Sequence, residues 1–130
     1  MNFENEKDFI MRQIHEIIKL LIHLILGKNE NQAEPSLAAK YNLSDSKHNQ
    51  IKAMVDCGEI NEAENLLFEK LDRADQSSVA ELLFLYEYTS QQSSEFLEQH
   101  NYSKEEVLEG LQMLAAKTGF QHIIDLINES

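Results

Sequence analysis

The chain has one cysteine, one proline, no tryptophan and four glycines in 130 residues. Each scarcity excludes something. With Cys57 alone no internal disulfide can form, and a reducing cytoplasm is the expected compartment. The glycines stand singly at 27, 58, 110 and 119, so there is no glycine-rich phosphate loop. Three valines and two threonines leave little material for strands. Glu, Leu, Lys, Gln and Ala fill the middle and end of the chain and favour helix. The expected class is all-α.

Positive charge is also short. The net charge is −12, and 19 of the 23 acids but only 7 of the 11 bases lie from Asn29 onward. Such a surface repels phosphate backbones and anionic lipids, so no nucleic-acid partner is expected. The first residues, Met1–Glu6, are acidic where a signal peptide is basic. Ile17–Leu26 is ten residues long, about half of the roughly 20 needed to cross a bilayer. A membrane span is not expected.

What the chain does have is a helix, expected over Asn5–Leu26, whose second half is apolar almost all round. Ile10, Ile14, Ile17, Leu21 and Leu24 follow the 4-3-4-3 spacing of a packed helix pair, widened by Met11, Ile18, Ile22 and Ile25. Arg12, His15, Glu16, Lys19 and His23 share the opposite band. Such a helix must be covered by a core, a second subunit or a lipid surface. Residues 1–28 are therefore expected to be an association element, closed by Gly27. Residues 29–36 are polar, contain Pro35 and read as a linker. Residues 37–130 read as an acidic helical domain.

Within that domain a short helix is expected through 37–42, and Ser44-Asp45-Ser46 opens one that ends at Gly58. Asn61, Ser78 and Ser103 each precede a Glu by three residues, the spacing of a capping box. Ser78–Thr89 is apolar round most of its circumference and reads as the central helix. Gln91–Ser94 breaks it before Glu95–Gln99, and Lys104–Lys117 and Phe120–Asn128 follow. Gly110 lies inside a helix, where it costs roughly 1 kcal/mol against Ala and permits a close helix crossing.

Two resemblances add to this. Gly58-Glu59-Ile60-Asn61-Glu62-Ala63, with Leu66, Leu67 and Leu71, resembles the turn and second helix of a tetratricopeptide repeat. Lys70 departs from that pattern, which puts a small residue there. The chain is also similar to a family of small uncharacterised helical proteins from low-GC Gram-positive bacteria. Asp8–Ile14, Gly27-Lys28, Gly58–Phe68 and Ser103–Gly110 carry that similarity, which implies no activity and no catalytic residues.

Chemistry-bearing residues do not converge in the sequence. His15 and His23 lie eight residues apart on one helix, about 12 Å of rise, too far to share a metal. Asp56, Cys57 and Glu59 adjoin a turn without a ligand motif, and Cys57 is expected to be a small buried residue. No Glu-x-x-His pair supports a di-iron site. The acid pairs Glu59/Glu62, Glu95/Glu98 and Glu106/Glu109 suit exposed first turns of helices. Phe84, Tyr86, Tyr88, Phe96 and Tyr102 could line a peptide groove. The expected function is non-catalytic protein–protein interaction, without cofactor or metal. Self-association is expected through Ile10, Ile14, Ile17, Leu21 and Leu24. Peripheral membrane attachment by the same helix is the alternative, and an enzyme a distant third.

Overall fold

The computed structural model describes residues 3–27, 40–72 and 75–129. Among them are seven α-helices and no strand, so the class is all-α. They are α1 (Phe3–Leu21), α2 (Asp45–Asp56), α3 (Ile60–Glu69), α4 (Gln76–Ser90), α5 (Ser94–Gln99), α6 (Lys104–Lys117) and α7 (Gln121–Glu129). The axis is α4, in which every residue from Ser78 to Tyr86 is buried. Helices α1, α2, α3 and α6 pack around it, and α7 packs on α6. A helix covered on all sides has no use for an amphipathic stripe, which is why α4 shows none.

The apolar α1 finds its cover inside the chain. Ile14, Ile17, Ile18, Leu21 and Ile22 are at most 1% exposed and share one core with Leu83, Val107 and Leu111. Thus three of the five residues expected at a subunit interface, Ile14, Ile17 and Leu21, are occupied in cis. The 4-3-4-3 spacing specifies helix pairing, and the partners are the chain's own α4 and α6. Ile10 is half-buried against the same core, and Leu24 is 39% exposed. The helix also ends differently from expectation. Ile22–Leu26 forms a π-helical turn, closed where the Gly27 N–H donates to the Ile22 carbonyl. The wider turn changes the phase of the side chains and carries Leu24 off the seam.

The linker expected over 29–36 lies outside the described residues, as does the short helix of 37–42 up to Ala39. From Lys40 the chain is tied to α4: the Lys40 ammonium lies 3.1 Å from Glu87 Oε1, and the Tyr41 hydroxyl donates to the same oxygen. Ser44, Ser93 and Ser103 cap α2, α5 and α6 by accepting from the N–H three residues on. Two expected caps are displaced. Helix α3 starts at Ile60, so Asn61 lies inside it, and its cap position, Glu59, makes no side-chain bond. Asp75 caps α4 by accepting from the Ser77 N–H. Ser78 instead sits within that helix, its hydroxyl donating to the carbonyls of Asp72 and Asp75.

Candidate functional site

The hairpin of α2 and α3 is made by Gly58, whose φ of +84° suits glycine and turns the chain within two residues. The N–H of Gly58 reaches the Val55 carbonyl and that of Glu59 the Met54 carbonyl, so the turn is fully bonded. Ile51 and Val55 from α2, and Ile60, Ala63 and Leu67 from α3, then face inward. Their packing leaves a groove of about 150 Å³, lined by Ile51, Met54, Ala63, Leu66 and Leu67. Lys47, Gln50 and Lys70 also line it, and Glu81 comes up from α4. Leu66 remains 49% exposed, a large apolar side chain left partly uncovered.

The charged residues of this groove form a small set. Glu81 is 7% exposed, and its Oε1 has no hydrogen-bond partner. The ammonium of Lys47 lies 3.9 Å from that oxygen and that of Lys70 4.0 Å. Both are ion pairs and neither is a hydrogen bond. The neighbouring Lys47 amine and partial burial hold Lys70 below the usual lysine range, with Glu81 opposing them. Two amines thus crowd one buried carboxylate.

A second carboxylate lies on another side of α3. Glu64 accepts from the hydroxyls of Tyr86 and Tyr102, the latter at 3.3 Å. Burial pushes its carboxyl above the usual glutamate range, and Glu106 and Glu109 push the same way, while the two phenols pull it down. Burial, followed by the charge of Glu64, raises both phenols. This cluster is closed: a Cβ at Gly110 would lie 2.3 Å from the Tyr86 hydroxyl, so α6 presses its one glycine onto the ring.

The expected site residues are dispersed. His15 on α1 and His23 in the π-helical turn are both exposed. Cys57 is exposed rather than buried, because it ends α2 at the outside of the Gly58 turn. Asp56 accepts from the Tyr88 hydroxyl at 2.6 Å. Among the described residues no three His, Cys, Asp or Glu side chains are grouped to hold a metal. Glu59, Glu62, Glu95, Glu98 and Glu109 are exposed and Glu106 is half-buried, and the charges of Glu106 and Glu109 are felt at Glu64. Phe84, Tyr86 and Tyr102 are buried, so the open groove is aliphatic, not aromatic. Lys47, Lys70 and Glu81 escaped sequence reasoning. The available signal was Glu81, the one charged residue inside the buried run of α4, whose spacing from Ser78 pointed to a cap.

Among the described residues no helix is long and apolar enough to cross a membrane. No curated protein and no solved structure matches the chain. One family model does match, over residues 4–119, and the chain accordingly belongs to DUF6483, a family of unknown function.

Proposed function

We propose that this is a non-catalytic interaction protein that takes an apolar side chain of a partner polypeptide into the α2–α3 groove. The observation that carries the reading is the size and lining of the groove. Its volume of about 150 Å³ is that of a cavity that admits benzene, and falls below the roughly 300–1,000 Å³ of small-molecule sites. One Leu or Phe side chain fits it. The likeness of Gly58–Leu71 to a tetratricopeptide hairpin supports the same reading. Selection from a random peptide library on the full chain tests it. Peptides should be enriched on the parent and lost on Leu66→Asp, a substitution the exposure of Leu66 allows the fold to tolerate. Enrichment that is unchanged on the variant, or no enrichment at all, would overturn the proposal.

Self-association is a second reading, favoured by the exposure of Phe9 on α1 and of Leu24 in the π-helical turn that follows it. Light scattering decides it. A dimer that dissociates with Leu24→Asp while circular dichroism is unchanged would establish it, and a monomeric parent at high micromolar concentration would remove it.

A further inference from the structure

Resting on the groove-binding reading, we propose that the partner segment is an acidic amphipathic helix. It carries a carboxylate one helical turn from the apolar side chain that enters the groove, and Lys47 and Lys70 receive that carboxylate.

The groove has a charged end and an apolar end, and both walls repeat the same interval. On α2 the order is Lys47, Ile51, Met54; on α3 it is Ala63, Leu66 and then Lys70, which caps the end of the helix. Lys47 and Ile51 are four residues apart, and so are Leu66 and Lys70, a separation of about 5–6 Å on a helix face. A helix laid along the groove with an acid and a Leu at the same interval therefore meets both ends at once.

The charge balance specifies the sign. Two amines and one carboxylate leave the rim positive, within a chain whose net charge is −12. Glu81 pairs with both amines but satisfies neither by a hydrogen bond, so both keep donors to give. A second carboxylate placed on the solvent side of the amines relieves their mutual repulsion and takes charge-assisted hydrogen bonds from them. Polyanions such as phosphate backbones fit poorly, because the rest of the acidic surface repels them. A single acid next to an apolar contact does not meet that obstacle.

The test uses the isotope-labelled full chain and two Ala-based helical peptides, identical except for Glu or Gln four residues from one Leu. Amide shifts at Ile51, Leu66 and Lys70 should saturate at roughly tenfold lower concentration with the Glu peptide. That preference should shrink with added salt and vanish in the doubly substituted Lys47→Gln, Lys70→Gln chain. The two lysine side chains are 40% and 54% exposed, and an amide spectrum that matches the parent's away from the groove checks that the variant keeps its fold. Equal saturation by the two peptides overturns the acidic preference but leaves groove binding intact. A preference that survives in the double variant overturns the role of the lysines. Silence with both peptides overturns the inference, and the library selection then judges the interaction reading by itself.

Discussion

Glu64 and Glu81 are two largely buried carboxylates on adjacent helices, and they are satisfied in opposite ways. Glu64 is held by two phenolic donors, beside two further acids, under a helix that approaches through a glycine. Glu81 faces two amines, neither at hydrogen-bond distance, at the edge of an open apolar groove. The first site is complete within the chain, whereas the second has capacity left over. Buried polar groups that are fully bonded fix a structure. The amines beside Glu81 keep donors that an incoming acceptor can use.

The sharpest way to break this contrast is at the closed site. Gly110→Ala gains up to about 1 kcal/mol of helix propensity but drives a methyl group into the Tyr86 ring, which is fully buried and tied to Glu64. Overpacking of this kind costs about 1–3 kcal/mol, so urea denaturation should show net destabilisation. A stabilised variant would mean that the ring has room to move and the site is open. A smaller effect follows from Glu64. Burial raises its carboxyl above the ordinary 4.5 in the folded chain, so folding favours the protonated form more than the unfolded chain does. Its stabilising contribution is present below pH 4.5 and is lost as pH rises through the raised value. On acidification from pH 7 to pH 4 the parent should therefore gain stability relative to Glu64→Gln, read as the difference in their denaturation midpoints. The smallest effect belongs to Glu81→Gln. Its lysine partners are largely exposed, so removing the charge should cost less than about 1 kcal/mol at neutral pH. A loss as large as that of Gly110→Ala would show that the two carboxylates are equally structural.

Local signals in the sequence were legible where nothing competed with them. Ser103 caps α6 as its spacing to Glu106 implied, and Gly110 marks a close crossing. The same spacing at Ser78 and Asn61 misled because stronger local bonds lay upstream. Asp75 captures the Ser77 N–H first, and the bonded Gly58 turn starts α3 at Ile60. The periodicity of α1 identified its buried face correctly but could not say whose surface covers it, since cis and trans partners impose one pattern. The groove was hidden for another reason. Lys47, Lys70 and Glu81 lie on three helices, and only the packing of those helices brings them together.

The packing of α1 on α6 also sets an order in time. Helix α1 is synthesised before α6, yet much of its cover comes from Lys104–Lys117. At synthesis rates of ~5–20 residues per second, its isoleucines wait roughly 5–20 s for that surface. During that interval the nascent chain presents an uncovered aliphatic helix followed by a net-acidic segment, whose like charge opposes association of neighbouring chains.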